Sequence, residues 1–134
     1  MTSRIIRAIE NKYTTILAHP TGRLLLSREP YKVDMIRIIN AASVNNVAIE
    51  INSSPFRLDL DWRLCKYAKE KKVKIFINPD AHNLEDIANY KYGIYTARKG
   101  WLEKEDILNS LGKDDMDAFL KDLKNKKRLK SDVR

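Results

Sequence analysis

Short apolar runs alternate along the chain with longer segments in which apolar residues recur at helical spacing. Four runs rich in Ile, Val, Phe and Thr are predicted strands, and they cover residues 14–18, 47–51, 74–78 and 93–97. One helical pattern runs from Pro30 to residues 45–46, and a second follows a capping residue at Asp59 or Asp61. Strands that alternate with helices favour a parallel sheet, either open or closed into a barrel. We therefore predict an α/β protein of about four parallel strands with flanking helices.

Further helical patterns lie near the two ends of the chain and after the third predicted strand. They cover residues 3–10, 84–88 and 104–111, and a last helix after Gly112 carries Met116, Phe119, Leu120 and Leu123. This glycine divides the chain into a body, residues 1–112, and a carboxyl-terminal helix with a basic tail, residues 113–134.

The composition fits one globular domain without a membrane-spanning segment. The chain has 134 residues, of which 43% are hydrophobic, and this length supports a single core. No apolar run approaches the roughly 20 residues that cross a bilayer, and the first residues lack the pattern of a secretory signal. The single cysteine, Cys65, cannot form an internal disulfide. We therefore expect a soluble protein of the reducing cytoplasm, with no membrane partner.

The net charge of +8 favours polyanionic partners, and most of it comes from the end of the chain. The chain has 26 Lys and Arg residues and 18 Asp and Glu residues. Without residues 121–134, the net charge of the remaining chain is only +3. A solvated helix end explains such a tail better than a binding site does, but nucleic acid stays a candidate partner.

Polar and ionisable residues follow the first three predicted strands. His19 follows the first, Glu50 and Asn52 lie at the end of the second, and Asp80 and His82 follow the third. In parallel α/β folds, ligands bind where the carboxyl ends of the strands meet. Imidazole nitrogen and carboxylate oxygen together suit ions such as Zn, Mn or Fe. The pattern therefore predicts a divalent metal site to which Asp80, His82 and a histidine from another strand end contribute.

Each of these residues also has a structural interpretation. His19 could bond the backbone of its own loop, Asp80 could cap the helix predicted at 84–88, and Glu50 could be a paired carboxylate at the edge of the core. Three arginines are, taken singly, more often solvated or salt-bridged than functional, namely Arg23, Arg57 and Arg98.

Other chemical motifs are missing from the sequence. It contains no G-x-S-x-G, P-loop, dinucleotide fingerprint, C-x-x-C or H-E-x-x-H. Cys65 lies in a predicted helix without a neighbouring histidine, so it is expected to pack rather than to react. Trp62 and Trp101 are expected to cover apolar surface rather than to stack on bases.

Five sequence words, taken in order, resemble a known family. They are ILAHPTGRLL at residues 16–25, EIN at 50–52, RLDL at 57–60, INPDAH at 77–82 and TARKGWL at 96–102. Together they resemble the carboxyl-terminal part of the polymerase and histidinol phosphatase (PHP) domain at the end of bacterial family X DNA polymerases. The resemblance covers about residues 2–111, and HPTGRLL and ARKGWL are specific to that polymerase branch.

The resemblance implies a distorted β/α barrel that binds divalent metals, typically Mn or Zn, and hydrolyses phosphoesters. Members linked to the polymerase act as exonucleases on DNA 3′ ends. The matching motifs imply that His19, Asp80 and His82 are metal ligands. They further imply a set of residues that hold the substrate or line the site: Arg23, Glu50, Asn52, Arg57, Arg98 and Lys99.

The chain departs from the family pattern because the amino-terminal half of the PHP domain has no counterpart here. That half carries the opening H-x-H motif, further histidines and a bridging glutamate. We therefore expect a partial (β/α) barrel, as a fragment, a truncated gene product or a piece cut out for expression, and it is incomplete as a catalyst. Its open face and open strand edges should favour pairing with a second copy or with the missing half.

Two functions are compatible with these observations. In the first, the chain belongs to a metal-dependent phosphoesterase of the 3′–5′ exonuclease type, which acts on DNA or another phosphoester and needs the missing half. In the second, it is a non-catalytic nucleic-acid-binding or assembly module that uses its basic tail.

Overall fold

A three-stranded parallel sheet forms the centre of the fold. In the computed structural model, which describes residues 1–131, the strands are β1 at Ile16–Leu17, β2 at Ala48–Asn52 and β3 at Ile75–Asn78, in the order β1-β2-β3. Ile49 pairs with Ile75 and Asn52 with Asn78, so β2 and β3 end at the same level. All five residues of β2 are buried, as expected of a central strand covered on both faces. The predicted α/β class is confirmed.

Helices connect and flank these strands. The α-helices are α1 at Thr2–Glu10, α2 at Met35–Asn45 between β1 and β2, α3 at Trp62–Glu70 between β2 and β3, α4 at Tyr90–Lys99 and α5 at Lys113–Ser131. Shorter 3-10 turns cover Glu85–Asn89, Lys104–Asp106 and Leu108–Ser110. None of the helices within residues 1–131 has both the length and the apolarity needed to cross a membrane.

The fourth predicted strand is wrong, because residues 93–97 lie inside α4. The buried residues of this helix are Gly93 and Ala97, and their i, i+4 spacing puts them on one helical face. A Cβ on Gly93 would lie 2.4 Å from Cγ2 of Ile77, so the helix backbone approaches β3 closely. The described sheet therefore has three strands, one fewer than predicted.

Side-chain caps set the helix starts. Asp34 accepts the backbone N–H of Arg37 at 3.0 Å, so α2 begins at Met35 rather than at Pro30. Asp61 accepts the backbone N–H of Arg63 at 3.0 Å, which identifies it as the N-cap of α3. The single helix predicted at 104–111 is instead two separate 3-10 turns.

The outer edge of β3 is covered by the chain itself. Ile107 forms a parallel bridge with Ile75. Next to it, the backbone N–H of Ile77 donates to Oδ1 of Asn109 at 2.8 Å, and Nδ2 of Asn109 donates to the carbonyl of Ile77 at 2.9 Å. The amide side chain thus replaces a neighbouring strand at this edge of β3, whereas the last predicted strand, for which an open edge was expected, is a helix.

The last helix packs at the amino ends of the strands. Leu123 is buried, and Phe119 lines a cavity of about 60 Å³ together with Ala48 and Val73. The apolar face predicted for this helix therefore contacts the body of the protein. The side chains of residue 124 and residues 127–131, and residues 132–134 altogether, lie outside the described part, which leaves out much of the predicted basic tail.

Candidate active site at the carboxyl ends of the strands

A buried carboxylate, Glu50, joins the ends of the three strands. Glu50 and Asn52 lie two residues apart on β2 and therefore project from the same face, and they are 6% and 1% exposed. The carboxylate of Glu50 accepts the backbone N–H of His19 at 2.7 Å, the side-chain amide of Asn78 at 3.0 Å and that of Asn52 at 3.4 Å. These contacts give Glu50 the structural role of a paired carboxylate, and its role toward a substrate stays a prediction.

Asp59 holds the loop that follows His19. Its side chain is fully buried, and Oδ2 accepts the backbone N–H of Thr21 at 2.9 Å, the hydroxyl of Thr21 at 2.9 Å and the backbone N–H of Gly22 at 3.0 Å. Among the residues that the structure describes, Oδ1 has no hydrogen-bond partner. Burial raises the pKa of Asp59, although the hydrogen bonds from Thr21 and Gly22 and the charge of Arg23 oppose this effect.

Arg23 clamps the segment before α3. Its Nε donates to the carbonyl of Arg57 at 2.7 Å, Nη1 donates to Asp61 at 2.9 Å, and Nη2 donates to the carbonyl of Leu58. All three guanidinium nitrogens of Arg23 therefore donate to acceptors within the chain. This agrees with the interpretation of Arg23 as a salt-bridged structural residue. Phosphate binding by Arg23 stays a prediction.

Arg57 and Asp80 form an ion pair at the end of β3. Nε of Arg57 lies 3.1 Å from Oδ2 of Asp80, and the two side chains are 19% and 33% exposed. Burial raises the pKa of Asp80, but hydrogen bonds from Asn52 and Arg57 and the positive charge of Arg57 outweigh it and hold the pKa below its usual value. Asp80 is therefore an ionised carboxylate at neutral pH.

The ring of His82 is oriented by the backbone of Asp80. Nδ1 lies 2.7 Å from the carbonyl oxygen of Asp80. A carbonyl can only accept, so Nδ1 carries the proton and Nε2 of the neutral ring keeps a free lone pair. Histidines that bind metals are commonly oriented in this way through their other nitrogen. The side chain of His82 is exposed.

Two of the three predicted ligands have a backbone conformation that L-residues rarely adopt. The φ angles are 25° at His19 and 55° at Asp80. Asn46 and Lys72 also have positive φ, but they follow helices, where the left-handed conformation is common. Such strain persists only where surrounding contacts impose it, and it is frequent at functional sites. The hydrogen bonds of Glu50 and Arg57 are the contacts that hold these two loops.

The chain by itself does not assemble a complete metal site. Within residues 1–131, no three His, Cys, Asp or Glu side chains are grouped so that they could hold a metal ion. His82 and Asp80 have the right donor chemistry, since one offers a free imidazole nitrogen and the other an ionised carboxylate. The predicted set of His19, Asp80 and His82 therefore fits a metal in its donor chemistry, but within residues 1–131 the three side chains are not grouped around one position.

Arg98 and Lys99 lie in the last turn of α4, because the strand predicted before them is a helix. Nζ of Lys99 lies 4.6 Å from the ring centroid of Trp62, and Arg98 lines a groove of about 490 Å³ between α4 and residues 102–110. Trp101 is 74% exposed, so the prediction that it covers apolar surface is wrong. Its backbone has a φ of 64°, which turns the chain out of the helix.

Sequence reasoning missed three polar residues of this region. Asp59 and Asp61 were considered only as helix caps, and Asn78 only as a strand end. The word RLDL carries a signal for Asp59, because an acidic residue between two leucines at the start of a helix has to be paired when the leucines pack. Their long-range partners, however, which are Gly22, Arg23 and Glu50, lie more than 25 positions away in sequence.

The pairing of Asp61 predicts a loss of stability in acid. Hydrogen bonds from Arg63 and Arg23 hold the pKa of Asp61 well below its usual value, against the opposing effect of burial. The stabilisation is therefore complete above the unfolded pKa of about 3.9 and is lost as the pH falls below it. Urea unfolding should show an advantage of the wild type over Asp61→Asn at pH 6 that shrinks toward pH 2. An equal difference at both pH values would contradict this origin.

Curated proteins with related sequences are phosphoester-processing enzymes by name. The chain is 43% identical over 118 residues, 88% of its length, to the "DNA polymerase/3'-5' exonuclease PolX" of Bacillus subtilis (strain 168), of which it spans 21%. It is 29% identical to a probable phosphatase of Thermoanaerobacter sp. (strain X514), with 95% of the chain and 50% of that protein aligned. A probable phosphatase of Caldanaerobacter subterraneus is likewise 29% identical, over 81% of the chain and 43% of that protein. No family model matches the sequence. The chain is thus similar to about one fifth of the polymerase and to about half of each phosphatase.

Proposed function

We propose that the chain is the carboxyl-terminal part of a metal-dependent phosphoesterase of the PHP type, with DNA 3′ ends as substrate. The observation that carries this proposal is the arrangement of Asp80 and His82, in which an ionised carboxylate lies next to an imidazole oriented by a backbone carbonyl. The similarity to a polymerase with exonuclease activity supports the choice of DNA, and the two probable phosphatases support phosphoester chemistry in general.

In this proposal the chain supplies some of the ligands of a Mn or Zn site and lacks the others. His82 and Asp80 would hold the ion, with His19 as a further ligand from the loop after β1. A divalent metal in such a site polarises a phosphoryl oxygen. Arg57 borders Asp80 and would bind a phosphate oxygen of the substrate, since a guanidinium matches phosphate geometry. Glu50, Asp59 and Arg23 position the loops that carry these groups.

The incomplete ligand set makes the chain inactive or weakly active alone. The remaining ligands would come from an amino-terminal half of a PHP domain or from a second copy, either of which would complete a partial β/α barrel at the carboxyl ends of the strands. Cys65 does not contribute to the proposed chemistry, because it is buried and this burial raises its pKa to about 12, so it is not a reactive thiol.

Metal titration tests the proposal directly. In calorimetry with MnCl₂ and ZnCl₂, the wild type should bind one ion per chain weakly, because its ligand set is incomplete, and His82→Ala and Asp80→Asn should each bind at least about tenfold more weakly still, because each removes a ligand. Cleavage of a chromogenic phosphodiester, measured on the same samples, should stay near background. Asp117→Asn is the matched control, since this carboxylate is 49% exposed and pairs with Lys113 on α5. Absence of metal uptake by the wild type, or equal loss in the control, would refute the proposal.

The second candidate function is a nucleic-acid-binding module that acts through α5. The observation in its favour is the location of this helix at the amino ends of the strands, away from Asp80, with Lys121 and Lys126 exposed. DNA affinity that falls in the Lys121→Gln, Lys126→Gln double variant and is unchanged in Asp80→Asn would favour this function. These substitutions are preferable to deleting residues 121–134, because Leu123 is buried.

A further inference from the structure

A row of exposed aromatic and basic side chains runs along α4 and ends on the start of α3. We define it as the α4 stripe, which consists of Lys91, Tyr95, Arg98 and Lys99 on α4, with Trp62 and Trp101 at its end. Tyr95 is 61% exposed, Trp62 39% and Trp101 74%. The side chains of Lys91, Arg98 and Lys99 are exposed as well. These aromatic residues belong neither to the proposed metal site nor to the basic tail.

The helix geometry explains why these side chains share one surface. Lys91, Tyr95 and Lys99 recur at i, i+4 and i+8 and therefore lie above one another on α4. Gly93 and Ala97, on the opposite face, are buried against the sheet. Eight residues at about 1.5 Å per residue make the row roughly 12 Å long, which corresponds to three or four nucleotides at the about 3.4 Å spacing of a stacked strand.

The end of the α4 stripe is an aromatic site with a cation built into it. Nζ of Lys99 lies 4.6 Å from the ring centroid of Trp62. Gly100 lets the two helices meet closely, because a Cβ there would lie 2.4 Å from Cβ of Cys65 and 2.9 Å from the carbonyl of Trp62. Lys69 donates to the carbonyl of Trp101 at 3.4 Å and so fixes the backbone that presents the exposed indole. Trp62 is thus placed by the first turn of α3, and Trp101 by the turn that directly follows α4.

The charges around the α4 stripe favour an anion. Residues 90–102 contain three basic residues and no acidic residue. Of the acidic groups directly downstream, Glu103 and Asp106 are both paired with Lys69, at 2.6 and 3.1 Å, and Glu105 between them is exposed next to Lys104 in sequence. Asp61, next to Trp62, is paired with Arg23 and Arg63. Three of these four carboxylates therefore lie beside a cation, which weakens their repulsion of a phosphate.

We propose that the α4 stripe binds single-stranded nucleic acid, with bases stacked on Trp101, Trp62 and Tyr95 and phosphates contacted by Lys91, Arg98 and Lys99. Exposed aromatic side chains that alternate with cations are the features with which proteins bind single strands regardless of sequence. A duplex hides its bases in the stack, so it would use the cations alone. An apolar protein partner is disfavoured, because three cations would have to be desolvated in the contact.

This surface borders the candidate active site and would extend it. Trp62 directly follows Asp61, whose carboxylate binds Arg23, and Arg23 contacts the carbonyl of Arg57. A strand lying along α4 would therefore lead toward the ion pair of Arg57 and Asp80. Binding to the α4 stripe itself requires neither the metal nor hydrolysis, so it can be tested independently of the proposed phosphoesterase function.

Fluorescence anisotropy with a labelled 12-nucleotide oligo(dT), in EDTA, tests the proposal. Trp101→Ala should weaken binding about tenfold or more, the size expected for losing one stacked base. Lys99→Gln should weaken binding less and should lower the slope of log affinity against log salt by about 0.7, because one phosphate contact is lost. The intrinsic tryptophan fluorescence of the wild type should be quenched by unlabelled oligo(dT). Thermal unfolding of both variants should match the wild type, since the substituted side chains are exposed.

The control is Tyr13→Ala, which removes an equally exposed aromatic residue that also lies beside a lysine. Tyr13 is 80% exposed, and Nζ of Lys12 lies 5.2 Å from its ring centroid. Its binding should equal that of the wild type. The proposal is overturned by an unchanged affinity of Trp101→Ala, by an equal loss in Tyr13→Ala, by equal competition from a blunt duplex, or by a loss confined to Lys121→Gln, Lys126→Gln. Binding of oligo(dT) that depends on Trp101, without metal uptake, would support the α4 stripe and refute the phosphoesterase proposal. Metal uptake together with an unchanged oligo(dT) affinity of Trp101→Ala would support the phosphoesterase proposal and refute the α4 stripe.

Discussion

Substitution of Asp59 by alanine is expected to lower the free energy of unfolding by about 3 kcal/mol or more. One carboxylate oxygen of Asp59 accepts three hydrogen bonds, two of them from the backbone of Thr21 and Gly22. The N–H of the buried Gly22 also donates to the carbonyl of His19 at 2.9 Å, so the N–H and the hydroxyl of Thr21 are the donors that lose their acceptor when the carboxylate is gone. The loss arises mainly from these unsatisfied donors, and urea unfolding at pH 7 measures it.

Asp59→Asn separates the hydrogen bonds from the charge. Its amide oxygen can keep all three hydrogen bonds, while its NH₂ group would take the place of the oxygen that has no partner. Burial already disfavours the charge of Asp59, so removing the charge should cost little, below about 1 kcal/mol. Asp117→Ala, at an exposed position, should be near neutral. A loss in Asp59→Asn as large as that in Asp59→Ala would mean that Asp59 stabilises the protein through its negative charge beside Arg23 and not through its hydrogen bonds to the loop.

Asp59 also connects the stability of the protein to the candidate site. The loop held by Asp59 begins two residues after His19, and His19 is itself tied to Glu50 through its backbone. In a variant such as Asp59→Asn, which keeps the loop, metal uptake should match the wild type. Asp59 is in this sense a positioning residue, because it acts on a predicted ligand through the loop and not by contact with a substrate.

The local pattern of the sequence predicts the strands that are buried and the helices that have clear caps. Runs such as 47–51 and 74–78 are apolar, β-branched and bounded by polar residues, and they form β2 and β3 within one or two residues. Residues 93–97 contain the same residue types, yet they form a helix. What decides there is the close packing of Gly93 and Ala97 on the sheet, which is a tertiary contact that no local pattern contains.

The candidate site could be predicted in its location but not in its contacts. The rule that ligands bind at the carboxyl ends of parallel strands places His19, Glu50 and Asp80 at one edge, and the structure brings their loops together through Glu50 and Arg57. The contacts of Asp59 and Asp61 with the loop at Thr21, Gly22 and Arg23 could not be predicted, because this loop lies more than 35 positions earlier in the chain. The exposure of Trp101 could not be predicted either, since the left-handed turn that directs it outward occurs at a residue type that rarely adopts it.

Substitution of Gly93 by alanine is expected to destabilise the protein by about 2 kcal/mol, although alanine is the better helix former. A Cβ at this position would lie 2.4 Å from Cγ2 of Ile77 and 2.7 Å from Cβ of Ser53, and both are branch or stem atoms that cannot rotate away freely. Gly112→Ala is the matched control, because a Cβ there meets nothing within 4 Å, and it should be neutral or stabilising by up to about 1 kcal/mol.

A double-mutant cycle identifies the contact responsible for the loss in Gly93→Ala. Ile77→Ala removes Cγ2, so the double variant should lose clearly less stability than the two single variants added together. Chemical denaturation of the four proteins gives this coupling. The cycle also distinguishes the two interpretations of residues 93–97. In a strand, alanine at position 93 would add a side chain without crowding Ile77, and the two substitutions would be independent. A coupling near zero would therefore contradict the close packing of α4 on β3, on which the position of the α4 stripe depends.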